Sequence, residues 1–289
     1  MIAVSGASGR IGGKVIEILQ ERGSARLVAL TRTPERLAGM GVVARAADFD
    51  DPDRLVKALD GVERMLLVST DAVGPGGRRI RQQSNAVRAA IAAGVGHVIY
   101  TSFTRVGDVA NPLAVAEDHR ATEHALATSG MAFTSLRHNT YTEMLLMRTP
   151  EALSSGVLKD NSGDGATGYV TRDDCAEVAA TLLAEGGHEG EFLEVTGPEA
   201  LTQHEVAALL ADITGRPVRF QPQCDDEAVS DLVKRGMTIP MAQFLTTFAQ
   251  AGREGFKDTV TDVVERLAGR KPTSVADFLR ANRAALHGT

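Results

Sequence analysis

Apolar positions in this chain fall into two kinds of stretch that take turns. Ile2, Ala3 and Val4 form a short apolar run, and residues 10–20 then place Ile11, Val15, Ile18 and Leu19 at the spacing of one helix face. The same alternation repeats. Residues 26–31, 42–47, 64–69, 97–102 and 132–137 read as strands, each too apolar to leave one face in water. Between them lie a short helix opened by Thr33-Pro34 and helices over 52–59, 83–93 and 115–129. Strand and helix in strict alternation predict an α/β fold with a doubly wound parallel sheet, covered on both faces. Beyond about residue 150 the alternation breaks down. A helix starts at Thr149-Pro150, residues 156–158 form a short strand, and residues 161–168 are a glycine-rich loop. Thr171-x-x-Asp174 resembles a capping box ahead of a helix over 173–184, and residues 191–196 read as a strand returning to the main sheet. Thr202-x-x-Glu205 opens another helix. A strand over 218–221 and helices over 225–236, 239–252 and 274–285 complete the pattern.

The first strand and first helix are joined by Gly6-Ala7-Ser8-Gly9-Arg10-Ile11-Gly12. Strand, glycine turn, helix is the setting of a dinucleotide fingerprint: the chain turns sharply and presents backbone N–H groups and a positive helix end to a pyrophosphate. These seven residues are therefore candidate cofactor contacts. The spacing is Gly6-x-x-Gly9-x-x-Gly12, one residue longer than the common form, and it resembles the short-chain dehydrogenase/reductase superfamily. Arg32 ends the second strand, where an acidic residue would accept from the ribose 2′-hydroxyl of NAD; an arginine suits a 2′-phosphate instead, with Arg36 as a second partner. The superfamily resemblance places Asp48 and Phe49 over the adenine. Ligands of such sheets bind at the carboxyl ends of the strands. That makes the run 69–77, with Ser69, Thr70, Asp71, Ala72 and Val73, one wall of the crevice, and adds Thr101 and Ser102.

Composition narrows the field. Lys plus Arg is 31 against 37 for Asp plus Glu, a formal net charge of −6, and no basic stripe suggests nucleic acid. Two cysteines make no disulfide framework and fit a reducing compartment. The glycine turn begins at residue six, leaving no room ahead of it for a signal peptide, and no apolar run approaches the ~20 residues that span a bilayer. A cytoplasmic protein with no membrane partner is expected. The seven histidines show no metal-binding spacing, so no metal is expected.

Over nearly its whole length the chain resembles the NmrA-like, atypical branch of the short-chain dehydrogenase/reductases, and within it the bacterial NAD(P)H:quinone oxidoreductases and triphenylmethane reductases. The resemblance rests on the segments 4–12, 30–32, 94–102, 119–126, 134–143, 163–165, 171–173 and 185–190. It implies a Rossmann-type domain over residues 1–150, with 173–197 rejoining it, and a smaller α+β lobe over 151–289 that binds substrate. It also implies NADPH as cofactor and two-electron reduction of a quinone or similar conjugated acceptor. The branch places contacts after the sixth strand, here His138, Asn139, Thr140, Tyr141, Thr142 and Glu143. Relatives usually carry Arg-Asn there and a bulkier residue before the tyrosine; this chain has Arg137-His138-Asn139-Thr140-Tyr141, and its small or polar residues predict an open cleft.

The chemistry that this permits follows from a check of every tyrosine. Four positions beyond Tyr100, Tyr141 and Tyr169 stand Thr104, Leu145 and Asp173, so the Tyr-x-x-x-Lys pair of alcohol dehydrogenases of this superfamily is missing. His119 occupies the place of a lysine in related reductases and is a candidate ligand of the nicotinamide ribose or proton source, with Tyr141 as a second catalytic candidate. Two readings stay open. One is an NADPH-dependent reductase acting on a small aromatic or quinone acceptor. The other is an NADP(H)-binding redox sensor of the NmrA type without turnover. Self-association into a homodimer is left open as well.

Overall fold

The computed structural model describes residues 1–24, 26–73 and 77–286. Its first half runs β1 (Ile2–Val4), α1 (Arg10–Glu21), β2 (Leu27–Thr31), a short 3-10 helix (Pro34–Leu37), β3 (Val43–Ala46), α2 (Pro52–Ala58), β4 (Arg64–Leu67), α3 (Arg78–Ala92), β5 (His97–Phe103), α4 (Ala116–Ala127) and β6 (Ala132–His138). There follow α5 (Met144–Ser155), β7 (Val157–Asp160), β8 (Ala166–Thr167), α6 (Arg172–Glu185), β9 (Glu191–Val195), β10 (Leu201–Thr202), α7 (Gln203–Thr214), β11 (Arg219–Pro222), α8 (Asp225–Lys234), α9 (Ile239–Arg253), α10 (Val263–Ala268), α11 (Val275–Ala281) and α12 (Arg283–Leu286).

Seven strands form one sheet in the order β3-β2-β1-β4-β5-β6-β9, parallel at every pairing. The order reverses between β1 and β4, which opens a crevice at their carboxyl ends. Both faces are covered over β1, β2, β4, β5 and β6, which is why these strands read as apolar runs, while the edge strands β3 and β9 are partly exposed. On one face Ile11, Val15 and Leu19 of α1 pack with Cys175, Val178 and Leu182 of α6 and with Val263 and Val264 of α10. On the other, Leu55, Ala86, Val87 and Leu126 pack against Ala3, Leu30, Leu67 and Tyr100. The strand at 191–195 does return to the sheet, paired with β6 from Thr134↔Glu191 to His138↔Val195. The later elements build a separate apolar cluster around Leu145, Leu153, Leu158, Val206, Leu210 and Phe220.

Three expectations change. The helix expected to begin at Thr149-Pro150 begins at Met144 and carries Pro150 inside it. Its first turn is set earlier, by Met144 N donating to Tyr141 O and Leu145 N to Thr142 O, each at 3.0 Å. Burial of Leu145, Ala152 and Leu153 along one face carries the helix through the proline. Helix α3 starts at Arg78 rather than residue 83, because Arg79 and Gln82 are buried polar residues that an apolar pattern does not show. The closing helix splits in two at Asn282. Among the described residues no helix is long and apolar enough to cross a membrane.

Candidate functional site

The glycine turn is built backbone against backbone. Ser5 N donates to Leu66 O at 3.0 Å and Gly9 N to Gly6 O at 2.8 Å, and Gly6 sits at φ +59. A Cβ on Gly12 would lie 2.4 Å from Gly6 O and 2.9 Å from Ser5 O, so only glycine lets α1 start this close to β1. Helix α1 has no side-chain cap and no acidic residue in its first turn. Its first N–H groups have no partner within the helix, and Gly6, Ser8, Gly9 and Arg10 are exposed around them. Such an arrangement could hold a doubly charged pyrophosphate.

At the far end of the turn, Ser8 Oγ and Thr31 Oγ1 stand 3.4 Å apart, and Thr33 N donates to Thr31 Oγ1 at 3.2 Å. Arg32 and Arg36 are exposed beside them, and among the described residues neither pairs with a carboxylate. Ala47 N donates to Thr31 O at 2.9 Å, which brings Asp48 and the half-buried Phe49 to the same edge; Phe49 O accepts from Asn85 Nδ2. Ser69 N donates to Thr101 Oγ1 at 2.8 Å, joining the ends of β4 and β5. Val73 packs on a cluster with Phe103, Phe244, Phe248 and Phe256, so α9 of the lobe reaches this wall. Asp71 is exposed, and Ala72 lies half-buried between it and Val73. Residues 74–76 of the expected wall lie outside the described residues.

Three buried polar atoms at or just beyond the ends of neighbouring strands have no hydrogen-bond partner: Thr70 Oγ1 after β4, Ser102 Oγ on β5 and His138 Nε2 on β6. Each is open to a partner that the protein itself does not supply. Together with the cradle and the free Arg32, Thr70 Oγ1 and Ser102 Oγ could hold NADPH: pyrophosphate at α1, 2′-phosphate at Arg32, and the nicotinamide end by the two hydroxyls.

The segment after β6 divides its work. Asn139 is fully buried and faces backbone, its Nδ2 donating to Lys257 O at 2.9 Å and its Oδ1 accepting from Thr140 N at 2.7 Å. Thr142 is also fully buried. The small side chains expected to open a cleft are thus buried at these two positions. Thr140 Oγ1 accepts from Lys257 Nζ at 3.2 Å, and burial lowers that amine to about 8. Glu143 and Arg172 pair at 3.4 Å, and the Arg172 guanidinium lies 4.6 Å over the Tyr141 ring. The Tyr141 hydroxyl is 2.9 Å from His138 Nδ1. Burial pushes the tyrosine up out of its usual range and pulls His138 down to about 3, so both are neutral at pH 7.

His119 is placed otherwise than expected. It is buried on α4, where Arg79 Nη2 donates to its Nε2 at 2.9 Å. Its Nδ1 therefore carries the proton and donates to Tyr100 OH at 2.8 Å, and that hydroxyl donates on to Gln83 Oε1 at 3.1 Å. Burial first and the Arg79 charge second hold its pKa well below 6.5. Both ring nitrogens are spent inside the protein, which removes His119 as a proton source and as a free ligand of the ribose. Arg79, Gln83 and Lys257 carried no signal in the sequence, since each is a polar residue buried by partners far along the chain.

A family model described as NAD(P)H-binding matches residues 6–186. The chain belongs to that family. Among curated relatives it is 36% identical over 283 residues to quinone oxidoreductase 2 of Escherichia coli, covering 96% of each chain. Among solved structures it superposes with a TM-score of 0.92 on an NADPH-dependent quinone oxidoreductase of Escherichia coli complexed with NADPH, at 35% identity and over 97% of this chain and 99% of that one. It superposes with a TM-score of 0.88 on the triphenylmethane reductase of Citrobacter sp. complexed with NADP(H), at 31% identity and over 97% and 99% of the two chains. The resemblance to NmrA-like reductases read from the sequence holds, and so does the Rossmann-type sheet of this NAD(P)H-binding family member.

Proposed function

We propose that this protein is an NADPH-dependent oxidoreductase that passes a hydride to a quinone or a similar conjugated acceptor. The observation that carries the reading is the row of unpaired buried atoms, Thr70 Oγ1, Ser102 Oγ and His138 Nε2, in line with a glycine cradle and an unpaired arginine. Relatives named as quinone oxidoreductase and as triphenylmethane reductase support the acceptor class. NADPH, when bound, supplies the hydride. The protein's part is to hold that cofactor flat and to bring the acceptor to near-attack distance in a site drier than bulk water.

Quinone reduction needs no tuned acid, because the acceptor is already electrophilic and its anion takes a proton from water. The absent Tyr-x-x-x-Lys pair fits this chemistry, as does a His119 held neutral and fully engaged. The candidate contacts divide accordingly. Gly6 to Gly12, Arg32, Asp48 and Phe49, with Ser69 to Val73, Thr101 and Ser102, take the cofactor. His138, Thr140 and Tyr141 face the acceptor, while Asn139 is tied to Lys257, Thr142 to Val170 and Glu143 to Arg172. The same reading assigns residues 1–150 with 173–197 to cofactor binding and the remainder to a lobe over the acceptor. Supporting this are the return of β9 to the sheet and the packing of α6 on α1. A cytoplasmic location goes with it, supported by two free cysteines, Cys175 buried and Cys224 exposed.

The test is loss of NADPH absorbance with a panel of simple quinones and cationic dyes. Saturable turnover with at least one of them supports the reading. Tight NADPH binding without turnover on any of them transfers the protein to the class of redox sensors.

A further inference from the structure

We propose that His138 is a catalytic residue of the acceptor site: a neutral imidazole whose Nε2–H donates a hydrogen bond to the carbonyl oxygen of a quinone as that oxygen gains charge. Tyr141 is the positioning residue that fixes its tautomer. The inference rests on the reductase reading and adds the acceptor's polar contact to it.

His138 closes β6 and is 1% exposed. Its backbone is pinned on both sides, by pairing with Phe103 and Val195 and by Thr104 N donating to His138 O at 3.0 Å. The ring is therefore held by the sheet itself. One nitrogen, Nδ1, meets the Tyr141 hydroxyl at 2.9 Å; the other, Nε2, is buried and has no partner. Hydrogen-bond accounting assigns the proton. The hydrogen bond that the Tyr141 hydroxyl makes among the described residues is to Nδ1. If Nδ1 carried the proton, the Tyr141 O–H would have no acceptor among the described residues and Nε2 would be a buried acceptor without a donor, two unmet groups in place of one. With Tyr141 donating to Nδ1, the imidazole proton sits on Nε2, a buried donor without a protein partner. His119 shows the opposite case in the same molecule, with both nitrogens consumed.

Burial keeps this ring neutral, and a neutral donor suits the reaction. It binds a ground-state carbonyl weakly and an oxyanion strongly, so its contribution grows along the reaction coordinate. Bound NADPH would supply the hydride, and the hydroquinone monoanion so formed would keep its charged oxygen on Nε2–H. Water supplies the one proton that completes the hydroquinone, and His138 keeps its own. Tyr141 gives up no proton, since burial raises its hydroxyl out of reach of a hydroquinone anion.

The discriminating experiment compares two acceptors in single-turnover stopped flow at saturating NADPH. A quinone develops charge on oxygen, whereas a cationic triarylmethane dye takes hydride at carbon and develops none. His138→Ala is expected to slow hydride transfer to the quinone by ~10²–10³-fold and transfer to the dye by less than ~3-fold. His138→Gln, which restores an N–H donor, is expected to recover at least ~10-fold of the quinone rate, and Tyr141→Phe to lose ~10-fold on the quinone alone. NADPH affinity measured by fluorescence titration should stay within ~2-fold in all three variants. Independently of activity, ¹⁵N NMR of the wild-type protein should show His138 protonated on Nε2, and Tyr141→Phe should weaken that preference. Equal loss on both acceptors, a fall in NADPH affinity that marks His138 as a carboxamide ligand, or a proton on Nδ1 overturns the inference while leaving the reductase reading intact. A wild-type protein that reduces neither acceptor overturns both.

Discussion

Replacing Arg32 by alanine is expected to weaken NADPH binding selectively. Arg32 is exposed at the end of β2 and, among the described residues, makes no ion pair, so nothing inside the protein competes for its guanidinium. The corner it shares with Ser8 Oγ and Thr31 Oγ1 lies at the rim of the glycine turn, where the adenosine ribose of a dinucleotide would rest. A hydrogen bond between charged partners contributes about 1.5–3 kcal/mol when sheltered. Arg32 is open to solvent, so screening reduces this to about 1–2 kcal/mol, or ~5–30-fold in Kd. NADH has no 2′-phosphate, and its affinity should change by less than ~2-fold. Titrating both cofactors into wild type and Arg32→Ala measures four dissociation constants at each of two salt concentrations, low and moderate. The wild-type preference for NADPH should shrink as salt rises, because the contact is exposed. Equal affinities in the wild type, or an equal loss for both cofactors in the variant, would refute the assignment of Arg32 to the 2′-phosphate.

Two further outcomes follow from the cradle and from the buried histidines. Gly12→Ala places a methyl 2.4 Å from Gly6 O, and backbone cannot move aside as a side-chain tip does. Overpacking of this kind costs about 1–3 kcal/mol, so thermal unfolding should shift down and NADPH affinity fall by at least ~10-fold; an unchanged affinity would mean that the turn does not bind the pyrophosphate. For pH, His138 has a folded pKa of about 3 and His119 one well below 6.5, against about 6.5 unfolded. The unfolded chain binds the protons first, so stability is complete above pH 6.5 and falls by about 1.4 kcal/mol per pH unit for each histidine as pH drops toward the folded values. Urea midpoints at pH 7.5 and 5.5 measure this, and a midpoint that holds or rises at pH 5.5 contradicts the neutral assignment of both rings.

The sheet was legible because its physics is local. Strands buried on both faces read as apolar runs, helices as stripes, and the glycine turn needs its glycines within a few residues of one another. The late strand over 191–195 was legible from Phe192, Leu193 and Val195 close behind Gly190, although its two glutamates interrupt the apolar run. Pro150 misled because the helix that holds it is decided by the buried face of Leu145, Ala152 and Leu153, not by the local preference of proline. Helix α10 went unseen: it is six residues long and stabilised by burying Val263 and Val264 under the sheet. The site was legible as a set of segments but not as a set of roles. What separates His119 from His138 is the partners of their ring nitrogens, and those of His119 lie on Arg79 and Tyr100, 40 and 19 residues away. Asn139 reads as a cleft residue until Lys257, 118 residues on, is seen to take its amide.

The central claim, that this NAD(P)H-binding fold transfers hydride to a quinone, is tested most directly by mixing the preformed NADPH complex with a simple quinone under single-turnover conditions. Following NADPH absorbance there keeps slow product release from hiding the chemical step. The account predicts that bound NADPH is oxidised faster than free NADPH, with a rate that saturates in quinone concentration. Bound NADPH that is oxidised no faster than free NADPH across the whole panel of quinones and cationic dyes would contradict it.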